Sequence, residues 1–549
     1  DYDNESYIKT GTFNSGNTTL KESYERDWLW YSMFKVNYDR IFAQDHKVSG
    51  LFLVEAQSSK MDKFSAYREG FISNAIDELF AGGDDNKNND GNASEGGRMS
   101  YVGRLGYSYK DKYLLDAVMR WDGSPKFSEN NRWGFFPSVS VAWRISEEAF
   151  LKNKTEWIDN LKLRLSVGKA GDEANVNFNY LTGYQFANRY IFASDETVSR
   201  GISSKGLANP NARWAETTTY NVGLDYSMFN RKLYIELDIF YRVKNKMLAT
   251  RAQSLPSTFG ASLPEENINK QDTRGFELSL GHANKIGNII YNIQGNVSWA
   301  RSKWLHYDEV TRTDDAQKRR YDLTGKWTNQ TWGYVADGLF SSQEEIDGWA
   351  DITNGAHNNV IKPGDIRYID QNGDEVINWK DEVVIGRGED PEIFFGLNGD
   401  VSYKNWSVNF LFQGATNYSV FYSEQFVSPF GTNMNPYELW KDRWTETNPN
   451  PNAALPRVRF GTSHPNTYQS TFWVIKNAYY LRLKNIQLNY SIPKTWTKKI
   501  GVSDLRLFAT GTNLLTLTNV RYRDPESTAS AGWQYPVMKT FTVGINMNF

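Results

Sequence analysis

The final residues of the chain, Thr540 to Phe549, alternate strictly between apolar and polar. Phe541, Val543, Ile545, Met547 and Phe549 fall on one side of an extended chain, and Thr540, Thr542, Gly544, Asn546 and Asn548 on the other, because successive strand side chains point to opposite faces. A run of about ten residues, apolar outward and polar inward, has the length and pattern of one stave of a membrane β-barrel. In a soluble fold, an exposed hydrophobic strand of this kind would be an aggregation-prone edge.

The same alternation recurs along the chain. Leu105, Tyr107 and Tyr109 alternate with Arg104, Gly106 and Ser108. After a tight Lys110-Asp111-Lys112 turn, Tyr113, Leu115, Ala117, Met119 and Trp121 alternate with residues that include Asp116 and Arg120. Leu161, Leu163 and Leu165 oppose Lys162 and Arg164, and Leu233, Ile235, Leu237 and Ile239 oppose Glu236 and Asp238. At Leu481–Tyr490 the phase slips near Asn485, as one extra residue in a β-bulge would make it do. The pattern predicts about fifteen strands between Trp28 and Phe549, with one or two more in Tyr7–Glu25. The first pair is expected at Trp28–Ala43 and Lys47–Ser59. Short helical pieces are expected at Glu147–Ile158 and Lys494–Ile500.

Connections alternate in length. Short turns at Lys110–Lys112, Phe229–Lys232, Asn284–Asn288 and Tyr403–Trp406 alternate with long segments at 62–97, 169–212, 248–272, 305–391 and 417–474. Short turns on one rim and long loops on the other is the asymmetry of outer-membrane barrels. The tract Gly82–Gly91 is too polar to bury apolar area and reads as a mobile surface loop.

Composition narrows the choice. The chain has 549 residues, 15% of them aromatic, yet its mean hydropathy is −0.62. No run of about 18 apolar residues offers a membrane helix. A barrel reconciles these values, since each strand dilutes lipid-facing residues with polar ones. A soluble aromatic-rich sandwich or propeller is the competing class. The absence of cysteine excludes disulfides and thiolate metal sites. A net charge of −2 gives no global field for nucleic acid.

Several segments carry a resemblance. They are Phe136-Pro137-Ser138-Val139-Ser140-Val141-Ala142-Trp143-Arg144-Ile145-Ser146-Glu147-Glu148, Tyr109-Lys110-Asp111-Lys112-Tyr113-Leu114-Leu115, Pro363-Gly364-Asp365-Ile366-Arg367-Tyr368, Tyr480-Leu481-Arg482-Leu483-Lys484-Asn485 and Gly511-Thr512-Asn513-Leu514-Leu515. In their order along the chain they resemble the SusC/RagA-type TonB-dependent transporters of the Bacteroidetes outer membrane. The resemblance implies an all-β fold: the C-terminal portion of a 22-stranded transmembrane antiparallel barrel, with long extracellular loops and short periplasmic turns. Residues 305–391 would then be a large extracellular loop region. The plug and the TonB box are expected outside this chain, in a missing N-terminal half. The resemblance also implies TonB-powered import of oligosaccharide or peptide nutrients, a SusD-like lipoprotein lid, and a pairing of transporter–lid units into dimers. A structural barrel subunit without transport, or a passive porin, is the alternative.

One segment carries candidate metal chemistry. Asp370, Asn372, Asp374, the Val376 carbonyl, Asn378 and Asp381 fall at positions 1, 3, 5, 7, 9 and 12 of an EF-hand-like loop, 370–381, which would suit a loop-stabilising Ca²⁺. Position 6 is Glu375 in place of glycine, and position 12 is the short Asp381. A solvated acidic turn without an ion is the other reading. The five histidines are scattered, no phosphate loop opens a helix, and no acidic pair stands out, so no enzyme is expected. Trp327, Trp332, Trp349, Tyr418 and Tyr422 are candidate sugar-stacking rings, although loop packing uses such residues more often. Asp116, Arg120, Arg164, Glu236 and Asp238 are candidate lumen charges, expected mostly to satisfy one another.

Overall fold

The computed structural model describes residues 2–13, 18–73, 75–152, 156–173, 176–191, 198–252, 255–353, 355–430, 436–461, 463–527 and 534–549. Among the described residues, sixteen strands form one antiparallel sheet in which each strand pairs with its neighbours in chain order. That order skips only a short hairpin, Tyr184–Ile191 with Val198–Ser204, and four short strands between Gln330 and Arg387. Fifteen of the sixteen begin at Thr18 or later, and the other, Tyr2–Phe13, fills the Thr- and Ser-rich opening. By contact density the chain divides into Asp1–Trp143, Leu165–Tyr220 and Lys244–Asn269 as one unit, and Arg144–Arg164, Asn221–Val243 and Lys270–Phe549 as another.

The early strands are longer than their apolar patterns. Thr18–Phe42 has 25 residues and His46–Glu69 has 24. At about 3.3 Å per residue each spans roughly 80 Å, well beyond a hydrocarbon core of about 30 Å. The expected long connection 62–97 is therefore corrected. The ladder holds as far as the Tyr67↔Asn88 pair, and Asn88–Gly91, part of the expected mobile tract, lie in the strand Asn88–Tyr109. Outside lipid, a ladder needs backbone hydrogen bonds but no apolar side chains, so alternation ends before the strand does.

The tight turns form as expected. Lys110 and Asp111 have φ of 54° and 55°, and Phe229, Asn230 and Arg231 are also left-handed. These mirrored turns match the twist of the flanking strands. Aromatic pairs mark the turn rim: Tyr109 with Tyr113 at 6.5 Å, Trp157 with Phe229 at 6.1 Å, and Trp406 with Tyr490 at 4.6 Å. Such rings form the interfacial girdle of a membrane barrel.

The phase slip is a bulge. Phe412 pairs with Leu483 and Leu411 with Asn485, which leaves Lys484 unpaired. Opposite it, Asn513 adopts φ of 54° in the Gly511–Leu515 motif. Of the expected helix at Glu147–Ile158, only Ala149–Lys152 is α-helical, after a 3₁₀ turn at Ile145–Glu147; residues 153–155 lie outside the described set and Ile158 already opens a strand. Lys494–Thr497 is helical, and Lys498–Ile500 tightens to a 3₁₀ turn.

The largest core lies among the loops. Leu339, Phe340, Ile346, Ile366, Tyr368, Ile377, Trp440, Trp444 and Trp473, with their neighbours, form one buried cluster drawn from the two segments that follow His306 and Phe421.

Candidate functional site

The loop core is organised by Pro363–Tyr368. Gly364 sits at φ +87°, and a Cβ there would lie 2.3 Å from the Trp444 indole. Its N–H donates to the Phe340 carbonyl at 2.8 Å, and the Phe340 N–H returns a bond to the Asp365 carbonyl at 2.9 Å. The Asp365 carboxylate is fully buried. It accepts from the Lys362 N–H at 2.9 Å, from Asn466 Nδ2 at 2.9 Å and from Arg459 Nη1 at 3.2 Å. Burial pushes this carboxyl above the ordinary range, against the pull of Arg459, the Lys362 N–H, Arg457 and Asn466. The Tyr368 hydroxyl donates to the Pro465 carbonyl at 2.7 Å. This motif is therefore a staple that ties the 305–391 loop to residues 457–466.

A buried histidine belongs to the same region. Burial, with Arg459 adding to it, pushes His464 from 6.5 down to about 4. The unfolded state thus binds more protons between these values. The stability that His464 contributes is full above about pH 6.5 and is lost as pH falls toward about 4. Asp365, with its raised pKa, works in the opposite direction. In His464→Asn, the acid-induced loss of loop stability between pH 6.5 and 4, about 1–3 kcal/mol, is expected to disappear. Hydrogen exchange of the Phe340 and Ile366 amides at several pH values would check this; an unchanged pH slope would refute it.

The 370–381 segment folds as a tight acidic turn. Asp370 accepts N–H bonds from Asn372 at 3.1 Å, Gly373 at 2.7 Å and Glu375 at 2.8 Å. Asp374 accepts from the Val376 N–H at 3.1 Å. Asp381 is fully buried, and its two oxygens accept from the Gln371 N–H at 2.9 Å and the Asn378 N–H at 2.8 Å. The Asn378 side chain accepts from the Lys380 N–H at 2.9 Å. Burial raises the Asp370 carboxyl, but its backbone donors outweigh this and hold it below the usual range. At Asp381, burial dominates and the nearby Asp370 and Asp374 charges add to it, so its carboxyl stands above that range. Among the described residues, no three His, Cys, Asp or Glu side chains are grouped as a metal site. Glu375, at the glycine position, is left-handed with φ of 62°.

A second acidic turn, not expected from the sequence, pairs with it. The Asp351 N–H donates to the Glu375 carbonyl at 2.8 Å, and the Ile377 N–H to the Asp351 carbonyl at 2.9 Å. Burial raises the Asp351 carboxyl, but the hydroxyl and N–H of Thr353 and the N–H groups of Gly355 and Asn358 prevail and hold it far below the usual range. Its signal was present as Asp351-Ile352-Thr353, an Asx-type start to a turn.

The TonB-dependent receptor-like β-barrel family matches residues 1–514 of the chain. The chain belongs to this family. TonB-dependent receptor P26 of Formosa agariphila is 31% identical over 82% of the chain and 46% of that protein. TonB-dependent receptor SusC of Bacteroides thetaiotaomicron is 29% identical over 82% of the chain and 44% of that protein. Among solved structures, the RagAB peptide transporter aligns with a TM-score of 0.78 at 22% identity, covering 97% of this chain and 57% of the other. The RagAB peptide importer in its open-open state gives 0.79 at 20% identity, covering 100% and 57%. The chain spans about half the length of the curated relatives it matches. It is an outer-membrane β-barrel of a receptor and transporter family, not of an enzyme family.

On the strands of this receptor barrel, the polar-face charges are mostly paired. Arg104 bonds Asp116 at 2.8 Å. Arg120 reaches Asp122 at 2.8 Å and Glu55 at 3.3 Å. Arg164 bridges Asp225 and Asp238, both at 2.9 Å. Gly223 makes room for that guanidinium, since a Cβ there would meet Arg164 Cζ at 2.5 Å. Glu236 makes no ion pair among the described residues.

The candidate aromatic rings of the receptor have separate fates. Trp327 is covered by its own cations, with Arg301 at 4.2 Å and Arg274 at 5.6 Å, and Trp332 lies under Arg320 and Lys326, each at 5.2 Å. Trp349 carries Arg367 at 5.0 Å and donates its N–H to the Tyr368 carbonyl at 2.8 Å. Tyr418 is buried, its hydroxyl donating to Pro525 at 3.0 Å. Tyr422 lines a cavity, together with Glu389, Glu424, Tyr468 and Trp473. Sequence reasoning missed these last four, because they converge from two loops with no shared spacing.

Proposed function

We propose that the chain is the barrel portion of a TonB-dependent importer of oligosaccharide or peptide nutrients across the outer membrane. In this reading it works with a SusD-like lipoprotein lid, and couples to the TonB system through the N-terminal part of the whole protein. The observation that carries the reading is family membership over residues 1–514, in a chain whose long loops have a hydrophobic core of their own. The RagAB structures, described as a peptide transporter and importer, support the peptide class, and the oligosaccharide class rests on the resemblance to SusC/RagA-type transporters. Dimers of transporter–lid pairs belong to the same proposal.

Intact mass spectrometry of what co-purifies from detergent-solubilised outer membranes is the direct test. A plug-bearing polypeptide, separate or continuous with this chain, recovered together with a surface lipoprotein is the expected result. In cells, nutrient uptake should fall by more than tenfold when TonB is deleted. Uptake that persists unchanged without TonB would make the protein a passive pore, and absence of any uptake would leave it a structural subunit.

We further propose that the 370–381 turn takes a Ca²⁺ ion through Asp370, Asn372, Asp374, the Val376 carbonyl, Asn378 and Asp381. The left-handed backbone at Glu375 supports this, because the sixth position of such loops needs that conformation. The ion would draw on lone pairs left over after the backbone bonds, since each carboxylate offers about four. Glu375→Gly is expected to relieve up to about 1 kcal/mol of backbone strain and to tighten Ca²⁺ binding several-fold. Terbium luminescence sensitised by Trp379 would read it; equal signal from wild type and Asp370→Asn would sink the idea.

A further inference from the structure

A cavity of about 590 Å³ opens among the loops, and its walls are chemically one-sided. Two carboxylates, Glu389 and Glu424, share it with the rings of Phe421, Tyr422, Tyr468 and Trp473. No lysine, arginine or histidine is among the described residues that line it. The Tyr422 and Trp473 donors are already used, on the Arg521 carbonyl at 2.8 Å and the Asn466 carbonyl at 2.7 Å. Those rings therefore present carbon faces and not hydrogen-bond donors.

The two acids are unequally provided for. The nearest cation to Glu389 is Arg523, with Nη2 3.6 Å from Oε1, which is too far for a hydrogen bond. Arg523 gives its own N–H groups to the carbonyls of Phe421 at 3.2 Å and Ser527 at 3.1 Å. Glu389 Oε1 is buried and accepts no hydrogen bond. Burial accordingly raises the Glu389 carboxyl above the ordinary range, against the pull of Arg523. Glu424 is exposed and makes no ion pair among the described residues, and its backbone is left-handed at φ of 49°. A non-glycine residue in that region is uncommon, and such strain gathers at ligand clamps.

We infer that this cavity is a binding site for a cationic group, an ammonium or guanidinium carried by the cargo. An anion would meet two carboxylates, while Arg523, 3.6 Å from Glu389, is not among the lining residues. A neutral sugar would use the rings but bring no charge to Glu424, which makes no ion pair among the described residues. A cation uses both, through the negative face of each ring and a charge-assisted bond to each carboxylate. The volume is that of a pocket for a small ligand or a few residues of a peptide. The assignment rests on the importer reading and narrows its cargo to basic peptides or amine-bearing glycans.

The test uses the complete transporter in detergent and four probes: acetyl-Gly-Arg-Gly-amide, the same peptide with citrulline, the same peptide with glutamate, and maltotriose. Citrulline keeps the shape of arginine and removes the charge. The arginine peptide is expected to bind at least tenfold more tightly than the citrulline peptide. That preference should shrink in 0.5 M salt and be lost in Glu424→Gln. Glu424 is exposed, so this variant keeps the fold. Glu389→Gln serves as the second variant, with loop hydrogen exchange as its check on folding. Equal affinity for the arginine and citrulline peptides overturns the inference, as does stronger binding of maltotriose, or full affinity in both variants. TonB-dependent uptake is measured in parallel. Its loss with the charge preference intact would count against the importer reading alone, and uptake with no charge preference against the cavity assignment alone.

Discussion

Replacing Gly364 with alanine is expected to open the loop core and leave the barrel strands folded. Two costs coincide at this position. Gly364 has φ +87°, where an L side chain is strained, and the added Cβ would fall 2.3 Å from the Trp444 ring. The ring cannot simply withdraw, because Trp444 is buried in the loop core among Ile361, Leu455 and Trp473. The backbone term costs about 1 kcal/mol or more, and forcing a methyl into a packed core adds about 1–3 kcal/mol. Gly325→Ala is the matched control, since its φ is +83° with nothing within 4 Å of the added carbon. It should carry only the backbone term. Amide exchange at Phe340, Gly364 and Ile366 would report the loop, and heat-modifiable gel mobility the barrel. Equal protection in the two variants would mean that the Trp444 contact is not what holds Gly364.

The second large effect concerns lipid. Ile545→Arg in the last strand is expected to cost about 2–4 kcal/mol of barrel stability in a bilayer. Ile545 is 65% exposed and lies next to Gly544, at the centre of the nine-residue strand Thr540–Asn548. It pairs with Leu507, so the arginine would join an apolar cross-strand pair on that face. Thr542→Arg, on the opposite face, places the same charge among polar neighbours and should be nearly neutral. Urea titrations of both variants in lipid vesicles would measure the difference. Equal losses on the two faces would contradict the alternation from which the whole barrel reading begins.

Much of the wall was legible because a strand in lipid must write its environment at every second residue. The Lys110–Lys112 turn, the slip at Lys484 and the strand count all follow from that constraint. The extra length of Thr18–Phe42 and His46–Glu69 did not follow, because beyond the membrane the ladder is held by backbone groups that leave no mark on side-chain polarity. The motif Pro363–Tyr368 was visible as text, but its role was not. Only the structure brings Trp444 under Gly364, and Asn466 and Arg459 onto Asp365, from about 80 to 100 residues away. The acidic turn at 370–381 was read from its spacing. Its companion at Asp351 was overlooked, since one aspartate followed by Ile and Thr has no metal-loop signature. Glu389 and Glu424 are ordinary acids in sequence, and meet only because the loops fold back on one another.

The separate core of the loops has a consequence for how such a protein changes over generations. Leu339, Ile366, Trp440 and Trp473 answer to one another and not to lipid. Substitutions among them, or in the acids and rings near them, leave the alternation of the wall untouched. The bilayer constrains the outward residues of the wall, while the loop core answers only to its own packing. In the importer proposed above, a lineage meeting a new cargo would therefore be expected to keep the container and revise the mouthpiece, and a transplanted loop core should carry its selectivity with it.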